Sequence, residues 1–188
     1  MDCRKYAKSR IEFNIFNTFN NVRIKVEPIR EGARVPEKSH PWSIGYDIYC
    51  PEDTYVPTGR SVIPSGFRIQ LPIGLEGKIE PRSGFSAKGF EGVILKGVDD
   101  SNQPIMTGKV RRFDCDVKEG KVDPFYVEEV GVIVKNLDEP FICKAGTRIA
   151  QLTIYRVSPW WRLCLGKVNL NRSRGGGFGH SGTHGINK

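Results

Sequence analysis

At 188 residues the chain can enclose one substantial core, and five cysteines scattered without a CxxC pair argue against a disulfide framework or a zinc site. A formal charge of +8 favours an anionic partner without deciding between nucleic acid and a small phosphate ester. No apolar run is long enough to span a bilayer, and Met1-Asp2-Cys3-Arg4-Lys5 leads into a polar segment, so a soluble intracellular chain is expected and a membrane partner is not.

Residues 1–20 are rich in Asn and aromatics without alternation and read as an N-terminal extension. Short β-rich runs punctuated by Pro and Gly follow: Val22 to Val26, Tyr46 to Tyr49, Ser61 to Ile63, Phe67 to Leu71, Gly77 to Glu80, Val130 to Val134, Phe141 to Cys143 and Arg148 to Val157. Phe67-Arg68-Ile69-Gln70-Leu71 alternates apolar and polar residues, the signature of one buried and one solvated face. One short helix is expected from Ser83, ending before Gly89. The pattern predicts an all-β fold, a jelly-roll-like barrel or sandwich of many short strands, over residues 21–170. Residues 90–119 carry clustered charge and few apolar runs, and read as an inserted hairpin or an interaction surface.

Three stretches carry candidate chemistry. In Gly45-Tyr46-Asp47, a carboxylate at a strand start suits a hydrated Mg²⁺ held through water against a polyphosphate, although such an Asp is often only a turn residue. In Pro81-Arg82-Ser83-Gly84, the amides of a helix start, the Ser83 hydroxyl and Arg82 converge as an anion site, with an ordinary strand-to-helix turn capped by Ser83 as the plain alternative. In the tail, residues 171–188, Arg174-Gly175-Gly176-Gly177-Phe178-Gly179 sets one aromatic ring among glycines whose bare amides can approach phosphates. Arg174 forks onto those phosphates and Phe178 offers a face for a base, so the tail reads as a nucleotide lid or as a disordered terminus.

Taken in order, Gly45-Tyr46-Asp47, Pro81-Arg82-Ser83-Gly84, Gly146-Thr147-Arg148-Ile149-Ala150-Gln151-Leu152 and the Phe178 tail resemble the homotrimeric deoxyuridine triphosphatase (dUTPase) family. The family's remaining motif, which carries the base and a sugar-discriminating tyrosine, has two registers here. Gly97-Val98-Asp99-Asp100 has the expected distance from Pro81 but no tyrosine follows. Gly120-Lys121-Val122-Asp123-Pro124-Phe125-Tyr126 keeps the Asp and Tyr spacing and is preferred, with Phe125 and Glu128 standing where the family has Asp and Gly, and Thr147 replacing an acidic residue.

The resemblance implies hydrolysis of dUTP to dUMP and pyrophosphate, with Mg²⁺ as cofactor. Asp123 would activate water for attack on the α-phosphorus. Arg82, Ser83, Gly84 and Gln151 would hold phosphates, Arg174 (or Arg172) with Gly179 would close over them, and Phe178 would stack on uracil. A backbone slot in a hairpin from Gly120 through Val122 to Tyr126 would select uracil, with Tyr126 against the deoxyribose. It also implies a homotrimer whose subunits share each site. A dCTP deaminase-like enzyme and a catalytically idle binding protein are the competing readings, the latter leaving nucleic acid open as a partner of the basic insertion.

Overall fold

The computed structural model describes residues 24–101 and 103–158. Twelve strands and one helix follow in chain order. They are β1 (Lys25–Pro28), β2 (Tyr46–Tyr49), β3 (Thr54–Val56), β4 (Gly59–Gln70), β5 (Leu75–Glu80), α1 (Ser83–Lys88), β6 (Phe90–Val98), β7 (Pro104–Phe113), β8 (Cys115–Val117), β9 (Gly120–Val122), β10 (Glu129–Asn136), β11 (Phe141–Cys143) and β12 (Arg148–Arg156). They build three antiparallel four-stranded sheets, in the orders β1-β4-β10-β8, β3-β11-β6-β7 and β2-β12-β5-β9. The sheets close on a core that includes Ile48, Ile63, Phe67, Ile79, Val132 and Ile149, giving the all-β, jelly-roll-like architecture expected from the alternating runs. In β10, Val130, Val132 and Val134 point inward while their neighbours do not, the period-2 pattern of a strand with one face in the core.

Two expected strands, Ser61 to Ile63 and Phe67 to Leu71, are halves of one. Pro64-Ser65-Gly66 looks like a break, yet β4 runs through it because Pro64 sits where the register against β10 shifts, between the Glu129–Arg68 and Gly131–Pro64 pairs. A proline at a bulge removes no ladder bond the sheet needs. The bent strand then serves β10 with its first half and β1 with its second.

Ser83 does not cap α1. Arg82 occupies the cap position with extended backbone and no side-chain cap bond, and Ser83 is the first helical residue. Strand β5 delivers the chain in extended conformation through Arg82, and the helical turn begins at Ser83, one residue earlier than a Ser83 cap would place it. Gly89 ends the helix at φ 79°, returning its N–H to the Phe85 carbonyl at 2.9 Å. That left-handed turn also presses the helix end onto β7, where a Cβ on residue 89 would stand 2.5 Å from the Phe113 carbonyl oxygen.

A run of aromatic rings fixes α1 to the sheet beneath it. Phe85 stacks on Phe90 at 4.7 Å between ring centres, Phe90 meets Phe141 at 5.5 Å, and Phe141 stacks on Phe113 at 4.4 Å. Residues 90–119 are therefore only partly an excursion. Phe90, Val93, Phe113, Cys115 and Val117 are buried, while Lys96 to Val98 and Ile105 to Val110 stand exposed beyond the core. Asp99 closes the tip, its Oδ1 accepting the N–H groups of Ser101 and Gln103 at 2.9 and 2.8 Å.

The expected hairpin between Gly120 and Tyr126 is not a paired ribbon. β9 pairs with β5, whereas β10 pairs with β4 and β8, so the connection 123–128 crosses from one sheet to another. Glu129 anchors its far end. Its carboxylate accepts two bonds from Arg30, at 2.8 and 2.7 Å, and the Gly66 N–H at 2.9 Å. The Arg30 bonds, aided by the Gly66 N–H against the opposing effect of burial, hold the Glu129 pKa below its ordinary 4.5.

Two outcomes follow from this packing. A Cβ on Gly92 would lie 2.2 Å from the Phe141 ring, so Gly92→Ala should lower stability by about 1–3 kcal/mol in denaturant titration. Because the Glu129 pKa is depressed, its contribution is present above the ordinary value of 4.5 and is lost as pH falls through the lowered native value. Glu129→Gln should therefore cost about 1 kcal/mol at neutral pH, and the difference from the parent protein should shrink as pH drops below about 4.5.

Candidate active site

Three elements meet at the start of α1. β2 carries Asp47, β12 carries Gln151 opposite it, and Gln151 is in turn opposite Glu80 at the end of β5, two residues before Arg82. Antiparallel partners share a face, so this register alone brings together stretches that lie far apart in sequence. Asp47 is 5% exposed. Arg82 donates from Nε to its Oδ1 at 2.8 Å, and an Arg148 guanidinium nitrogen lies 3.4 Å from Oδ2. A buried carboxylate needs such matching, and this one receives it from both sides.

Gln151 is held in place by donating from Nε2 to the Pro81 carbonyl at 3.2 Å. A Cβ on Gly45 would lie 2.7 Å from Gln151 Oε1, so the missing side chain in Gly45-Tyr46-Asp47 makes the room that Gln151 fills. Gly84 differs. A Cβ there would meet no atom of the described residues within 4 Å, so nothing in their packing requires a glycine at that exposed position. Its absent side chain leaves the amides of Ser83 and Gly84 open to a ligand, ahead of the first intrahelical bonds made by Phe85 and Ser86 to the Arg82 carbonyl.

Arg82 and Gly84 border an open cleft of about 490 Å³, with the loop Ala145 to Arg148 on another side, while Asp47 and Gln151 lie behind its lining. The loop is tied down by backbone bonds, Gly146 N–H to the Cys50 carbonyl at 2.8 Å and Cys50 N–H to the Thr147 carbonyl at 2.9 Å. Asp53 holds it too, accepting the Ala145 N–H at 2.9 Å and pairing with Lys144, and these bonds keep the Asp53 carboxyl below its ordinary pKa. Three cations at the cleft were not singled out from the sequence as site residues: Lys88, Arg112 and Arg148. Arg148 was legible in principle, since its motif and Gly45-Tyr46-Asp47 become neighbours once β2 and β12 pair.

Asp123 and Tyr126 do not line this cleft. Val122 pairs with Gly77 near the beginning of β5, whereas Arg82 lies just past its end. Five residues of extended chain from Gly77 to Arg82 separate the two regions by about 17 Å. Gly120 and Val122 lie on β9, and Asp123 is exposed where the turn opens. The Tyr126 N–H reaches the Asp123 carbonyl at 3.2 Å, and the Tyr126 hydroxyl donates to the Glu129 carbonyl at 3.1 Å. Phe125 is held at φ 65°, with its N–H bonded to the Leu71 carbonyl at 3.3 Å. The competing Asp99 spends its carboxylate closing the β6–β7 tip. Arg172, Arg174, Phe178 and Gly179 lie outside the described residues.

Among the described residues no group of three or more His, Cys, Asp or Glu side chains could hold a metal ion. The donor set fits Mg²⁺ in one way only. A carboxylate offers about four acceptor sites, of which the arginines engage two at Asp47, leaving capacity for water molecules of a hydrated ion whose other ligands come from a polyphosphate. No helix among the described residues is long and apolar enough to cross a membrane.

Comparison with known proteins places the chain in a family. A family model described as dUTPase matches residues 31–107. The chain is 32% identical over 165 residues to the deoxyuridine 5'-triphosphate nucleotidohydrolase of Syntrophotalea carbinolica, covering 86% of this chain and 97% of that protein. It is 31% identical over 164 residues to that of a Hydrogenobaculum species, covering 86% and 99%. Among solved structures, the dUTPase of Staphylococcus bacteriophage 80alpha with dUPNHPP superposes with TM-score 0.63 at 23% identity, over 86% of this chain and 99% of that one. A mutant dUTPase from phage phi11 of S. aureus, described for its coordination of a structural Mg(II) ion, superposes with TM-score 0.58 at 21% identity over 78% and 97%. The chain belongs to the dUTPase family.

Proposed function

We propose that the protein hydrolyses dUTP to dUMP and pyrophosphate by attack of water on the α-phosphorus. The observation that carries this reading is a cationic cleft bordered by Arg82, Gly84 and Arg148, with Asp47 paired to both arginines and Gln151 bonded to the Pro81 carbonyl beside them, in a chain that aligns along nearly the whole length of nucleotidohydrolases of that name. Arg82, Ser83, Gly84 and Gln151 hold phosphate oxygens, and Asp47 orients Arg82 and would accept hydrogen bonds from the water ligands of a hydrated Mg²⁺. Magnesium bound to the triphosphate supplies neutralisation of phosphate charge.

Asp123 orients the attacking water and takes its proton, a task open to an ordinary carboxylate when the phosphorus is polarised. The backbone from Gly120 through Val122 pairs with the uracil edge, and Tyr126 packs against the deoxyribose where a 2′-hydroxyl would clash. Residues 171–188 act as the lid, with Arg174 on the terminal phosphate, Phe178 on the base and Gly179 allowing close approach. The separation of about 17 Å between the Val122 end of β9 and Arg82 within one chain supports a shared site, in which the turn of one protomer faces the cleft of another. A homotrimer is the arrangement proposed. Residues 1–20 form an extension to the domain of residues 21–170, with the insertion near 90–119, and the nucleotide substrate puts the enzyme's work inside the cell.

Incubation with dUTP, dCTP, dTTP and UTP in magnesium buffer should release pyrophosphate from dUTP alone, and ammonia release from dCTP would instead select deaminase chemistry. Asp123→Asn should reduce kcat by about 10²–10⁴-fold with the nucleotide still bound. Undiminished turnover in that variant would remove Asp123 from the mechanism.

A further inference from the structure

The cleft holds more positive charge than its buried carboxylate requires. Arg82 and Arg148 are committed to Asp47. Across the cleft, Lys88 at the end of α1 has no ion pair among the described residues, and Arg112 comes from β7, in the segment read as an insertion. Arg112 is placed by backbone rather than by chance. Phe90 pairs with Phe113 and Glu91 with Arg112 in the β6–β7 ladder, and the close approach of Gly89 to the Phe113 carbonyl locks α1 onto that ladder. One Arg112 guanidinium nitrogen donates to the Gly89 carbonyl at 3.1 Å, while the other lies 3.5 Å from Glu91.

That second contact is long, and both side chains are about half exposed, at 47% and 56%. Exposed pairs of this kind contribute little, so exchanging Glu91 for a stronger anion costs little. A phosphate offers the guanidinium a charge-assisted, bidentate partner, with the Gly89 bond already orienting the fork. Given the proposed phosphate cradle at Arg82 to Gly84, on which this inference rests, a polyphosphate held there lies in the same cleft that Lys88 and Arg112 line.

We infer that Arg112, with Lys88, forms a second phosphate station that binds the pyrophosphate portion of the nucleotide and the pyrophosphate product, and that Glu91 is the resident anion it displaces. The station reads the outer phosphates only. A nucleoside monophosphate seated at the cradle does not extend to it.

The test is calorimetric titration of the full-length protein, in magnesium buffer, with inorganic pyrophosphate and separately with dUMP. Arg112→Gln should weaken pyrophosphate about tenfold, leave dUMP within about twofold, and raise KM for dUTP with kcat little changed. Arg112→Lys should recover part of the loss, and Glu91→Gln, which removes the competing anion, should tighten pyrophosphate. Equal weakening of both ligands by Arg112→Gln, no weakening of either, or weaker pyrophosphate binding in Glu91→Gln overturns the assignment. The functional reading fails separately: a parent protein that releases no pyrophosphate from dUTP refutes the reaction, and Arg82→Gln that leaves dUMP binding intact refutes the cradle, whereas discrimination at Arg112 is read from pyrophosphate binding itself.

Discussion

A carboxylate buried to 5% exposure between two guanidinium groups is the contact on which the cleft depends. Asp47 without these partners would be a buried polar side chain left unpaired, and Arg82 alone would be free to swing away from the start of α1. Together they fix the direction of one cation and leave its remaining donors for the cleft. Because Arg148 approaches the second oxygen from β12, the same carboxylate ties three chain segments, and loss of any partner would leave a charge desolvated without compensation. The phosphate-binding character of the cleft is thus inseparable from the pairing of β2 with β12 and of β12 with β5.

Around that charge, apolar packing supplies rigidity. The ring sequence Phe85, Phe90, Phe141 and Phe113 runs from the helix into the β6–β7–β11 sheet, so α1 has little freedom to tilt. The loop Lys144 to Thr147 is fixed in a different manner, by backbone bonds to Cys50 and by Asp53. The cleft therefore has one wall set by aromatic stacking and another by hydrogen bonding. Both are formed before any ligand arrives, which is the condition for electrostatic groups to act without reorganisation.

Local signals located much of this. Tyr46 to Tyr49 and Phe141 to Cys143 were readable to the residue because turn formers bound them on both sides, and the helix from Ser83 was readable because Gly89 stops it. Where a signal had two physical meanings, the reading slipped. Pro64 marks the end of a strand as well as it marks a bulge, and only the register against β10 decides. Ser83 is as good at the first helical position as at the cap, and the extended approach through Arg82 decides. Gly120 to Tyr126 looked like a ribbon because its two arms are close in sequence, yet each arm finds a better partner in β5 or β4. Arg112 is one charge in a charged run, and its place at the cleft arises from the ladder between β6 and β7, which turns at Asp99.

Among the described residues, the Asp99 turn satisfies its own backbone groups, Asp99 N–H bonding the Gln103 carbonyl and Asp99 Oδ1 taking the Ser101 and Gln103 N–H groups. Length in this arm is consequently a free variable: rungs can be gained or lost at the outer end in pairs while the buried root, with Phe90 and Phe113, keeps its registry. Evolution has there a place to try new surface without disturbing old chemistry.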